Sequence, residues 1–172
     1  GTSTLGKGNS YTGGSAINAG TLAVTGTLGS GATTISSGAT LQIGSGGTTG
    51  AFGDTSAITN NGSLVFNRSN ALAQGTDFGT ISGSGSVTQS GTGTLTLSSA
   101  NTYSGGTTIN AGTISVGNNG AFGSGAITLN GGGITNAVNA GIGNDIVVGS
   151  GGGTIGITAD AATPAVDARL AE

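Results

Sequence analysis

The chain has 172 residues, of which 39 are Gly and 62 are Ser, Thr or Asn. Three residues are basic and six acidic, and Cys, His, Met and Trp are absent. This excludes a zinc finger, a thiol nucleophile, a disulfide framework and imidazole acid–base chemistry. Lys7, Arg68 and Arg169 are too few for a nucleic-acid footprint. No apolar run approaches the roughly 18 residues of a membrane-spanning helix, and no basic-then-apolar signal opens the sequence. The composition resembles a low-complexity chain, yet disorder combines low hydrophobicity with high net charge. Here the formal charge is only −3, and Ile plus Val outnumber Leu about two to one, as in β-structure.

In chain order, short segments alternate polar and apolar residues between Gly-rich turns, the pattern of strands with one buried face. They are residues 21–24, 33–36, 40–43, 63–66, 86–89, 94–97, 107–109, 113–116, 126–129, 145–148 and 154–157. At three to five residues each, none is stable without stacked neighbours.

A repeat is visible within the chain. Residues Asn9-Ser10-Tyr11-Thr12-Gly13-Gly14-Ser15-Ala16-Ile17-Asn18-Ala19-Gly20-Thr21-Leu22-Ala23-Val24 return, with conservative changes, as residues 101–116. Gly50-Ala51-Phe52-Gly53 returns as Gly120-Ala121-Phe122-Gly123, each followed by Ala-Ile-Thr at 57–59 and 126–128. Repeated short strand units point to a solenoid, and an antiparallel sandwich is the rival architecture. Coils of about 20 residues would give about eight turns. In that arrangement Ile109, Ile114 and Val116 face inward. Gly-Gly (13–14, 105–106) and Asn-Ala-Gly (18–20, 110–112) form corners needing positive φ, and corner Asn residues stack in amide ladders. Residues 1–158 are read as the repeat domain. Residues 159–172, with four of the nine charges and the only Pro, are read as a junction or linker.

The run Gly91 to Val116, and residues 1–24 as a second copy, closely resemble the autotransporter-associated β-strand repeat, also called the passenger-associated transport repeat. Residues 117–129 and 145–155 resemble the same family. The resemblance implies an all-β, right-handed parallel β-helix, part of a secreted or cell-surface passenger of type V secretion, with no catalytic residues in the motif.

The candidate sites are sparse. Carboxylate-pair chemistry needs two acids about 5–9.5 Å apart; of Asp54, Asp77, Asp145, Asp160, Asp167 and Glu172, only those at 160–172 are close in sequence, and stacking is what would bring Asp54 near Asp77. Gly141-Ile142-Gly143-Asn144-Asp145-Ile146-Val147 matches half of a calcium-binding nonapeptide, but Thr154 stands where the next coil would need Asp. Tyr11 and Tyr103 share a repeat position and are read as rings covering a corner rather than as a sugar platform. Thr-x-Thr segments (92/94/96, 25/27) are too sporadic in sequence for an ice-binding array. Asn61-Gly62-Ser63 and Asn67-Arg68-Ser69 are sequons. No catalytic, metal or cofactor residue is assigned, and the chain is expected not to be an enzyme. The expected function is a non-catalytic extracellular stalk or adhesin module, supporting surface adhesion or cell–cell contact. The alternative is a filament subunit associating through open solenoid ends. Neighbouring passenger modules, identical subunits, surface glycans or cell surfaces are the expected partners, without nucleic acid or membrane insertion.

Overall fold

A computed structural model describes residues 1–136 and 140–157; the expected linker at 159–172 lies outside the described residues. Every strand pairing is parallel, and the described residues contain no helix. The chain is a β-solenoid of about eight coils. The backbone climbs one strand spacing per turn and stacks each strand on its predecessor, and the sandwich is excluded by strand direction.

One sheet runs the whole length. It is built from β1 (Thr2–Leu5), β3 (Thr21–Val24), β5 (Thr40–Ile43), β7 (Ser63–Phe66), β10 (Ser86–Gln89), β12 (Thr107–Ile109), β14 (Ile127–Leu129) and β16 (Ile146–Val148), paired in that order. We call it the spine sheet; at about 4.8 Å per step it is roughly 35 Å long. A second sheet flanks the N-terminal half: β2 (Ser15–Ile17), β4 (Thr33–Ile35), β6 (Ile58–Asn60) and β9 (Ile81–Ser82). A third flanks the C-terminal half: β8 (Leu72–Ala73), β11 (Thr94–Leu97), β13 (Thr113–Val116), β15 (Gly133–Asn136) and β17 (Thr154–Ile157). Residues 63–85 form the coil that holds a strand of every sheet, and there the second flank gives way to the third.

Register gives the coil lengths. Along the spine Thr2 pairs with Thr21, Thr21 with Thr40, Thr40 with Ser63 and Ser63 with Ser86. The later steps are Val87 to Thr107, Thr107 to Ile127 and Ile127 to Ile146. The turn therefore lengthens from 19 residues to 23 on either side of β7, then returns to 20 and 19.

Because strand side chains alternate, two columns of each sheet point inward. In the spine these are Leu22, Leu41, Leu64, Val87, Thr107, Ile127 and Ile146, and Leu5, Val24, Ile43, Phe66, Gln89, Ile109, Leu129 and Val148. Ile109, Ile114 and Val116 are fully buried, as expected from sequence. Phe52, Phe66 and Phe78 pack with ring centroids 5.0–6.4 Å apart, filling the wider coils. The corner glycines also behave as their spacing predicts: Gly20 and Gly112 have φ of 70° and 62°, and Gly14 and Gly106 have 79° and 82°. At Gly112 a Cβ would also collide with the carbonyl oxygens of Gly91 and Gly93 one coil away.

Candidate functional site

The repeat supplies its own lateral fastener. In the second copy the Asn101 amide donates to the Ser99 carbonyl (3.3 Å) and, across one coil, to the Ala121 carbonyl (2.7 Å). In the first copy Asn9 does the same to Lys7 (3.0 Å) and Thr27 (2.9 Å). Two residues on, Tyr103 shares a 2.7 Å hydrogen bond with the Thr107 hydroxyl, and Tyr11 shares one of 2.7 Å with Ser15. Both motif positions thus tie the long loop to the strand that follows it or to the next coil.

The two copies differ in what surrounds them. Tyr103 is fully buried, whereas Tyr11 is 41 % exposed on the first coil. Burial pushes the Tyr103 phenol up to about 12, against the opposing hydrogen bond from Thr107. Asn101 enters a buried amide pair that Asn9 lacks: Gln74 Nε2 donates to Asn101 Oδ1 (2.7 Å), which also accepts from the Ile81 amide (2.9 Å). Gln74 Oε1 accepts from the Ser99 amide (3.1 Å). This pair sits where the flanking sheet changes, and sequence spacing gives no hint of it because its members are 27 residues apart.

The charged side chains hold turns. Asp54 accepts from the Gly31 amide (2.7 Å), the Ser56 amide (2.9 Å) and the Ser56 hydroxyl (2.9 Å). The Gly31 amide, then the Ser56 amide, hold its carboxyl below the ordinary value of 3.8. Asp77 accepts from the Ala73 amide (2.7 Å). Asp54 takes an amide from the preceding coil and Asp77 one from its own turn; the second sheet pairs Ile58 with Ile81, and the same 23-residue offset separates Asp54 from Asp77, so the two acids lie on successive coils as stacking predicts. Arg68 donates to the Gly50 carbonyl (2.6 Å), the Thr48 carbonyl (2.7 Å) and Asn70 Oδ1 (2.9 Å), pinning the loop at 44–57.

At the half-matched calcium motif, Asn144 is spent on the Gly123 and Gly125 carbonyls (3.1 and 2.8 Å). Among the described residues no group of three or more metal-ligating side chains comes together. The expected amide stacking is found at the Asn110 corner, whereas at the Asn18 corner a serine hydroxyl takes the place of the second amide. Asn130 donates to Asn110 Oδ1 (3.3 Å), and Ser36 to Asn18 Oδ1 (3.3 Å). The sequon residue Asn61 is exposed and accepts from the Ser84 amide (3.1 Å), and Asn67 is half-buried.

The family model described as the passenger-associated-transport-repeat matches residues 1–24 and 87–116. Both segments are similar to that repeat. Together they cover about a third of the chain. The first holds β1, β2 and β3, and the second ends with β11, β12 and β13 in the same order. No curated protein and no solved structure matches the chain. The three strands of the first copy lie on spine, second sheet and spine; the matching strands of the second lie on third sheet, spine and third sheet. Equivalent residues therefore do not stack in one column: the second copy is turned by one face.

Proposed function

We propose that this chain is a non-catalytic segment of an autotransporter-type passenger, displayed outside the cell, whose work is mechanical spacing and surface adhesion. The observation that carries this reading is the pair of transport repeats built into one uninterrupted parallel solenoid. The side-chain chemistry supports it. Asp54, Arg68 and Asp77 are occupied by backbone groups, and the buried amides Gln74 and Asn101 hold each other, which suits a scaffold more than a reaction centre. Surface glycans, other cells or neighbouring passenger modules are the partners this reading implies.

The test is display. The chain is fused between an export signal and an outer-membrane barrel and probed by protease on whole cells. A folded, protease-resistant band accessible from outside is expected. Retention inside the envelope, or turnover of a panel of polysaccharides by the purified chain, would count against the proposal.

A second reading has one observation behind it. Three large apolar side chains are exposed: Tyr11 on the first coil, and Val147 (37 %) and Val148 (51 %) on the last described spine strand. A further coil, from the same polypeptide or from a second copy, would cover Val148, which lies in the inward column, by continuing the spine sheet. Fibres lengthening with protein concentration in electron micrographs favour end-to-end assembly; a concentration-independent monomer on size exclusion favours the stalk.

A further inference from the structure

We infer that Asn61 is a modification site: its side-chain amide takes an N-linked sugar that lies in the groove beside it. The sequence carries two sequons, Asn61-Gly62-Ser63 and Asn67-Arg68-Ser69, and the structure separates them. Asn61 stands exposed on the corner between β6 and β7. Its Oδ1 accepts from the Ser84 amide (3.1 Å) and the Ser84 hydroxyl (3.3 Å) of the next coil. Gly83 makes room for this contact, since a Cβ there would stand 2.8 Å from Asn61 Oδ1. The two bonds hold the amide by its oxygen and leave Nδ2 without a hydrogen-bond partner among the described residues. N-glycosylation uses that nitrogen and spares the oxygen, so the sugar requires none of these bonds to break.

The corner also has space for a ring. Gly38, Gly62, Gly85 and Gly105 recur there on successive coils and line an open groove of about 430 Å³, inside the roughly 300–1,000 Å³ of small-molecule sites. At Gly38 nothing comes within 4 Å of the place of a Cβ. Thr40 and Ser86 line the same groove, and their hydroxyls can both donate to and accept from the hydroxyls of a sugar.

The second sequon has neither property. Asn67 is half-buried and its carbonyl accepts from the Gly46 amide (2.8 Å), while the Ser69 amide donates to the Gly47 carbonyl (2.9 Å). Between them Arg68 is bound to the Thr48 and Gly50 carbonyls. The whole tripeptide is strapped against the loop at 44–57. At the Asn110 corner the Asn130 Nδ2 is already spent on Asn110 Oδ1, and neither residue opens a sequon.

The donor is a sugar activated as a pyrophosphate ester, carried by a nucleotide or a lipid and delivered by a transferase of the same cell. Nδ2 attacks the anomeric carbon; the C–N bond forms as the C–O bond to phosphate breaks. The bonding pair leaves with the pyrophosphate, and Nδ2 gives up one proton. The inference rests on the display reading, because sequons act in exported chains.

The experiment is mass spectrometry of the chain recovered from the cells that make it, intact and as peptides fragmented so that a sugar stays on its residue. Wild type is expected to carry sugar at Asn61 and none at Asn67. A single-sugar increment marks the nucleotide donor, and a preassembled oligosaccharide marks the lipid one. N61Q and S63A should lose the increment completely, and N67Q should keep it. S63T should keep it too: Ser63 pairs in register with Thr40, so either residue suits this outward column. A bare Asn61 in wild type, an exposed turn amide only, overturns the inference, as does sugar at Asn67 or an S63A chain modified like wild type. Protease accessibility on the same cells is scored in parallel. An accessible chain with a bare Asn61 leaves the display reading standing, whereas an inaccessible one with a bare Asn61 sinks both.

Discussion

Residues 9–24 and 101–116 spell nearly the same sentence, and each keeps its Asn and Tyr hydrogen bonds. The first copy nevertheless sits on an exposed outer coil with its second strand in the spine, and the second is packed on both sides with its first strand there. The comparison separates what the repeat encodes from what its position adds. The motif encodes a strand, a tight corner and a strand, fastened to the coil above. Which face of the solenoid those strands occupy is decided elsewhere, by the two 23-residue steps around β7 and by the short extra strand β8.

Matched substitutions sharpen this contrast. The largest difference is expected for the tyrosines: Tyr103→Ala removes a fully buried ring and should cost about 3–5 kcal/mol, while Tyr11→Ala should cost under about 1 kcal/mol. Denaturant midpoints of the two variants measure the gap, and equal losses would mean that the outer coil is as well packed as the inner one. Next come the corners. Gly112→Ala combines the strain of a positive φ, about 1–3 kcal/mol, with a collision against two carbonyls of the coil below. Gly20→Ala carries the same strain, but its obstacle is the carbonyl of Gly1 on an exposed strand, which can yield. The melting temperature should fall further for Gly112→Ala.

Alkali probes the second copy by itself. The Tyr103 phenol is raised from 10.0 to about 12, so the folded state holds its proton where the unfolded chain has lost it. Its contribution is complete below pH 10 and declines as pH rises from 10 through 12. Tyr103→Phe should flatten that limb of the stability–pH curve. The smallest effect is expected at Asp54, whose lowered carboxyl contributes stability above its ordinary value of 3.8 that is lost as pH falls through the lowered one. Asp54→Asn should shift the acid unfolding midpoint slightly upward and reduce the slope there; an unchanged acid limb would show that the Gly31 and Ser56 bonds do not hold in solution.

Much of the architecture was legible in the letters. Strand alternation located β3, β5, β7, β10, β11, β12, β13 and β17 at their observed bounds, because most alternate polar and apolar residues between turn residues. The corner glycines were legible because a φ near +70° excludes other side chains at little cost only to Gly. β8 and β9 were not, since strands of two residues exist only through their neighbours. β15 opens on Gly133, which breaks the β-branched pattern that marks a strand. The change of face was invisible for a related reason: it follows from coil lengths, and length is spent in loops whose composition is indistinguishable from the turns. Arg68 and the Gln74–Asn101 pair were missed as well. Their partners lie up to 27 residues away, and only stacking brings them into reach.

The switch of flanking sheet has a consequence for how such rods lengthen in evolution. If the unit had to land on the same face every time, duplication would be confined to whole turns. Because a closely similar segment works one side further round, recombination can join segments at any vertex of the cross-section. Increments of a third of a revolution become viable, and such rods can vary in length, and in the angular placement of whatever they carry, more finely than their own periodicity suggests.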